Sequence, residues 1–181
     1  MSTTTHLMTA DELLRLPDDG QLHELIKGEL LTLSPPGAEH GVVTMNLSFL
    51  LAQHVRPRKL GVLVAGDTGF KLESDPDTVL APDIAFIRSD RVGVLSTGYY
   101  SGAPDLVVEV LSPGDRKGKV EEKASRWLSL GALAVWLVNP KTRTVDVRLA
   151  NGERKLFKED DILTDDAIVN GFGVSVSEIF A

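Results

Sequence analysis

The chain has 181 residues, 43% of them hydrophobic and 25% charged, with 26 acidic against 19 basic side chains and a formal net charge of −7. These values are ordinary for a soluble globular protein of one domain. No cysteine is present, which excludes a disulfide framework and a thiolate metal site. No apolar run approaches the roughly 20 residues that span a bilayer.

Residues 1–6 lack the basic-then-apolar layout of a secretory leader, so a cytoplasmic protein with no membrane partner is expected. The net acidity counts against broad electrostatic capture of nucleic acid, which draws on clustered Lys and Arg. Basic clusters exist locally, at Arg56-Pro57-Arg58-Lys59 and Arg116-Lys117-Gly118-Lys119. Part of the acid is gathered in Glu159-Asp160-Asp161 and Asp165-Asp166. A single domain over 1–181 is expected, with its core over about 10–150 and a C-terminal hairpin and tail over 151–181.

Thr9-Ala10-Asp11-Glu12 followed by Leu13, Leu14 and Leu16 predicts a short capped helix that Pro17 ends. His23 to Ile26 and Glu29 to Leu33 flank Lys27-Gly28, which predicts a hairpin with a two-residue turn and positive φ at the glycine. From Ala38 to Val55 the apolar residues Val42, Val43, Met45, Leu47, Leu50 and Leu51 recur at helical spacing, which predicts a long helix that stops before Pro57. Leu60 to Ala65 and Phe70 to Glu73 read as strands around the turn Gly66-Asp67-Thr68-Gly69. Asp83 to Ile87 and Leu106 to Leu111 read as strands joined by a polar loop through Tyr99-Tyr100-Ser101-Gly102.

Lys117 to Leu130 predicts a helix that Gly131 stops. Ala134 to Val138, Thr144 to Leu149 and Arg154 to Phe157 follow as strands, turning at Asn139-Pro140-Lys141-Thr142 and Asn151-Gly152. Strand, helix and strand in succession imply a right-handed βαβ crossover and a partly parallel sheet. The expected class is therefore α/β, with an antiparallel flank.

Chemistry enters at Glu109, a carboxylate inside the apolar run Leu106-Val107-Val108-Glu109-Val110-Leu111. Burying an unpaired charge costs several kcal/mol or forces it to take up a proton, so this residue demands a cation or a metal. Asp83 opens the neighbouring apolar run and Lys123 lies in the following helix. Two carboxylates and an ammonium are the raw material of a divalent-metal phosphodiesterase site.

Helical geometry tests Lys123. With Val120 at zero and about 100° per residue, Lys123 falls near −60°, Trp127 near −20°, Ala124 near +40°, and Leu130 and Leu128 near −80° and +80°. Lys123 thus shares the inward face. Simpler roles stand beside these: a lysine snorkelling past the apolar rim, a structural Glu109–Lys123 ion pair, an Asp83 that only caps a strand entry. Asp105 competes with Asp83, but four strand positions, roughly 13 Å, separate it from Glu109.

The ordered set His23-Glu24-Leu25-Ile26-Lys27-Gly28-Glu29-Leu30, Ser34-Pro35-Pro36 with Glu39-His40, Pro82-Asp83, Pro104-Asp105-Leu106-Val107-Val108-Glu109-Val110-Leu111-Ser112-Pro113, Lys123 with Trp127 and Gly131, and Trp136-Leu137-Val138 resembles the Uma-two family. That family is classed with the endonucleases of the PD-(D/E)XK, restriction-endonuclease-like fold. The resemblance implies a mixed sheet flanked by helices with antiparallel hairpin additions. It also implies Mg²⁺ or Mn²⁺ held by Asp83 and Glu109, with Glu24 as a further carboxylate. Leu111 occupies the motif lysine's usual place, two residues after Glu109, which leaves two alternatives: the lysine has migrated to the helix as Lys123, which would then stand in for it, or it has been lost; the inward angle of Lys123 favours migration. His23 replaces the family's usual tyrosine, and Ala132-Leu133-Ala134-Val135 lacks the glutamate and tyrosine often found there.

His40 is either an auxiliary acid, base or phosphate contact or a surface residue of the helix start. Gly61-Val62-Leu63-Val64-Ala65-Gly66-Asp67-Thr68 fails as a phosphate loop because Asp67 replaces the lysine. The four histidines show no zinc-type pairing, and no Gly-x-Ser-x-Gly elbow is present. The leading expectation is a metal-dependent endonuclease on DNA, acting as a homodimer because duplex cleavage needs two sites. A non-catalytic binding or assembly module of the same fold is the alternative; a metal-free glycosidase is a third reading, against which the inward lysine speaks.

Overall fold

The computed structural model describes residues 7–66, 68–95 and 97–181. Residues 1–6 and Asp67 of the expected turn lie outside them. Helix α1 (Ala10–Leu14) is closed by a capping box: Thr9 Oγ1 accepts the Glu12 amide and the Glu12 carboxylate accepts the Thr9 amide. Strands β1 (Leu22–Ile26) and β2 (Glu29–Leu33) form the expected hairpin. Lys27 and Gly28 at its tip both take positive φ, 52° and 79°, as a type I′ turn requires.

Helix α2 (Ala38–Arg58) does not stop before Pro57 but carries it in its last turn. There the proline forfeits its own N–H bond, and Lys59, left-handed at φ 53°, closes the end on the Val55 and Arg56 carbonyls. The chain continues through β3 (Gly61–Ala65), β4 (Phe70–Glu73), β5 (Thr78–Leu80), β6 (Ile84–Arg88), β7 (Tyr100–Ser101) and β8 (Leu106–Val110). Then come α3 (Lys117–Ser129), β9 (Ala134–Asn139), β10 (Thr144–Leu149), β11 (Arg154–Phe157), β12 (Ile162–Thr164), β13 (Gly173–Ser175) and α4 (Val176–Ile179).

A six-stranded sheet runs in the order β11-β10-β9-β8-β6-β3. Only β8 and β9 are parallel, joined by α3 as the crossover; their neighbours are antiparallel. A second sheet, β2-β1-β5-β4-β7, carries the N-terminal hairpin. The class is mixed α/β with helices flanking mixed sheets, as the sequence predicts. Strands β3 and β4, expected to flank one turn, part into different sheets, and the short β5 and β7 were not anticipated.

Alternation in the strands explains the layering. One face of the large sheet, with Ile84, Phe86, Leu106, Val108 and Trp136, packs under Val43, Leu47, Leu51 and Val55 of α2. Leu163, Phe172, Val176 and Ile179 of the C-terminal segment enter the same core. The opposite face, with Ala85, Ile87, Val107, Val135 and Leu137, packs on Ala124 and Trp127 of α3 and on Phe70 and Leu80 of the second sheet. Glu109 shares the pleat of Val107, so it faces α3 and the second sheet.

Candidate active site

Glu109 is 7% exposed. Its Oε2 accepts a hydrogen bond from Lys123 Nζ at 2.9 Å, and its Oε1 accepts one from Trp127 Nε1 at 2.8 Å. Both donors come from α3, one turn apart and therefore on one face. Asp83 precedes β6, one step beyond the Ile84–Val108 pairing, which sets it beside Glu109. Its Oδ2 accepts the Val110 amide at 2.6 Å and lies 3.2 Å from His40 Nε2.

Glu24 arrives from β1 of the second sheet and is buried at 2% exposure. Its Oε1 accepts the Ala81 amide at 3.0 Å and lies 3.6 Å from Lys123 Nζ. The lysine therefore stands between two carboxylates. His40, in the first turn of α2, keeps Nδ1 near Thr44 Oγ1 at 3.4 Å. Asp83, Glu109, Lys123, Glu24 and His40, carried on five stretches of chain, thus meet at one end of the large sheet.

The electrostatics follow from three acids sharing one ammonium. Burial pushes Glu109 up to about 7 against the pull of Lys123, and the charges of Asp83 and Glu24 add to the rise. Burial draws Lys123 down, yet Glu109 and Glu24 outweigh it and hold the amine above its ordinary value. His40 is raised chiefly by its hydrogen bond to Asp83, against burial, with Asp83, Asp115 and Glu109 contributing through charge. The pair is thus best described as a firmly protonated amine beside a carboxylate short of positive charge.

Asp105, the competitor of Asp83, is wholly buried at the other end of β8. It accepts from the Arg88 amide at 2.9 Å and from Arg91 Nη1 at 2.8 Å, so arginines answer its charge. Sequence reasoning placed Trp127 on the inner face without recognising it as a partner of Glu109. The signal was its spacing of four from Lys123. Asp115, whose Oδ2 accepts the Ser112 amide at 2.7 Å in the loop after β8, was also missed.

Among the described residues no three His, Cys, Asp or Glu side chains close into a ready-made metal cage. The oxygen donors nevertheless suit Mg²⁺, which commonly takes one or two protein carboxylates and keeps several waters. Two donors reach the Glu109 carboxylate among the described residues, fewer than its roughly four lone-pair sites.

Comparison with known proteins agrees with this architecture. The chain is similar to the crystal structure of a "putative nuclease belonging to DUF820" from Anabaena variabilis ATCC 29413, with a TM-score of 0.81 at 23% identity over 96% of this chain and 97% of that one. It is 30% identical over 115 residues to the uncharacterized protein sll1609 of Synechocystis sp., an alignment covering 60% of this chain. The chain spans 61% of the length of that curated relative. Residues 10–177 match the family model Uma2, described as "Putative restriction endonuclease". The match takes in nearly every element described above, and the chain belongs to the Uma2 family.

Proposed function

We propose that the protein is a metal-dependent endonuclease that hydrolyses phosphodiester bonds in DNA, with Asp83 and Glu109 holding Mg²⁺ or Mn²⁺. The observation that carries this reading is the meeting of Asp83 and Glu109 beside Lys123 Nζ, 2.9 Å from Glu109 Oε2. Three acids against one ammonium leave a site short of positive charge, which a hard divalent cation would supply. When bound, the ion would polarise a phosphoryl oxygen and lower the pKa of a coordinated water.

The chain's own groups have separate tasks in this reading. Lys123 orients the attacking water or neutralises charge building on the phosphoryl oxygens. Glu24, 3.6 Å from Lys123 Nζ, steadies the amine and would supply a further carboxylate to the cation. The Val110 amide fixes Asp83, and His40, 3.2 Å from Asp83 Oδ2, is the auxiliary proton carrier or phosphate contact. Arg116 and Lys117, exposed at the start of α3, offer positive charge to the DNA backbone. A DNA substrate goes with cytoplasmic residence, and cutting both strands goes with a homodimer.

A second reading is favoured by one observation. Lys123 and Trp127 already saturate one site on each Glu109 oxygen, as in a core ion pair of a non-catalytic binding or assembly module. Plasmid incubated with the purified full chain and Mg²⁺ or Mn²⁺ separates the two. Metal-dependent cleavage is expected, reduced on the order of 10³-fold in Glu109→Ala. No cleavage, together with no metal bound in calorimetry, would overturn the nuclease reading and favour the module.

A further inference from the structure

We propose that Trp127 is a positioning residue for Glu109, its indole N–H holding one carboxylate oxygen so that the other lone pairs face the cation and Lys123 in a single orientation. The inference rests on the nuclease reading and deepens it.

A glutamate on a strand has three rotatable side-chain torsions, and its carboxylate plane is broadly free about the last of them. Here that freedom is removed from one side. Trp127 Nε1 donates to Oε1 at 2.8 Å while Lys123 Nζ takes Oε2 at 2.9 Å. The two oxygens are thereby distinguished: one is tied to a neutral, immobile donor and the other is left to the charged, flexible one. A lysine alone would let the carboxylate turn with it, because an ammonium has no fixed donor direction.

The indole is itself immobile. Trp127 has no exposed surface, and Phe70 of β4 stands edge-on to it, ring centroids 6.3 Å apart and planes at 82°. Phe70 in turn leans on Tyr100 of β7, at 5.5 Å. The second sheet therefore buttresses the ring, and the ring fixes a carboxylate that belongs to the first. A buried indole N–H needs an acceptor, but a backbone carbonyl would have met that need; using the carboxylate of the site ties ligand geometry to packing. Partners of this kind orient metal ligands, and their loss typically costs about 10–100-fold in metal affinity.

The other tryptophan provides the control. Trp136 Nε1 donates to Asp165 Oδ2 at 3.0 Å, buried on the α2 face of the sheet. Trp127→Phe and Trp136→Phe each delete one buried indole donor while keeping an aromatic ring. With the full chain, Mn²⁺ affinity is measured by calorimetry, kcat and KM on plasmid, and melting temperature for both variants. Trp127→Phe is expected to weaken Mn²⁺ binding about tenfold and to lower kcat at fixed Mn²⁺ with KM for DNA unchanged. Trp136→Phe is expected to melt lower yet bind Mn²⁺ like the unaltered chain.

Wild-type affinity and turnover in Trp127→Phe, or equal losses in both variants, would overturn the proposal. An unaltered chain that binds no Mn²⁺ would remove the nuclease reading and this inference together. If Trp127→Phe does not fold, the unaltered protein serves. With two tryptophans in the chain, two indole N–H signals are expected, and Mg²⁺ should shift that of Trp127 and leave that of Trp136. Calorimetric Mg²⁺ binding without that shift would count against the positioning role.

Discussion

In the metal-free protein the Glu109 carboxyl, held up at about 7 by burial from an ordinary value of 4.5, remains partly protonated near neutrality. The unfolded chain gives up that proton near 4.5, so between 4.5 and about 7 the native state binds more protons than the unfolded one. Stability from this residue accordingly falls as pH rises through that window and levels off above it. Glu109→Gln, melted across the same range with a chelator present, is expected to lose this downward slope. A profile unchanged by the substitution would contradict the raised value. The residues behind this behaviour were unevenly legible. Glu109 betrayed itself as an acid in an apolar strand, and Lys123 by its angle on a helix. Glu24 was visible only through the family resemblance, because nothing local in Leu22–Ile26 says which strand of which sheet it will face. The Trp127–Glu109 bond depends on how Phe70 seats the indole, and that contact is made between α3 and the second sheet.

Elements whose signals are local were read from the chain with small errors. The capping box of α1, the Lys27-Gly28 turn and the span of α3 each depend on a few neighbouring residues. Helix α2 overran its expected end because one proline in a last turn removes one bond where the helix is closing anyway. The short strands β5 and β7 exist only by virtue of their partners, so their own residues did not announce them. At β3 the sequence hides a further constraint. A Cβ on Gly61 would stand 2.0 Å from the Ile87 carbonyl oxygen and 2.9 Å from the Arg88 Cα, both backbone atoms of β6. Gly61→Ala must push β3 off β6, and a loss of about 1–3 kcal/mol is expected. Denaturant titration would show it; a midpoint within error of the unaltered chain would mean the edge strand yields freely.

At the scale of the whole molecule, the two sheets and their helices meet where the candidate site lies, so no single layer contains it. The order of strands that brings this about, with β3 and β4 in separate sheets, could not be read from the sequence, since it is decided by long-range pairing. The C-terminal residues were equally opaque: Phe172, Val176 and Ile179 are core residues with almost no exposed surface. Helix α2 also carries Val42, Met45 and Phe49 exposed, and Met45 and Phe49 line a pocket with Leu63 and Val64 of β3. The proposed homodimer would have twice the 19.6 kDa mass of one chain, and light scattering coupled to size exclusion measures it directly. A monomer at concentrations that support cleavage would assign each strand's cut to a separate encounter.

The lysine of this site rides on a helix, while its carboxylate partner rides on a strand 14 positions earlier. No backbone therefore sets the gap between them; the stand-off of α3 from the sheet does. Ala124, which has no exposed surface, is the shim in that gap. The site is calibrated by the thickness of a methyl group on the residue that follows Lys123. Drift in that thickness would put the amine out of reach while every reacting group kept its identity.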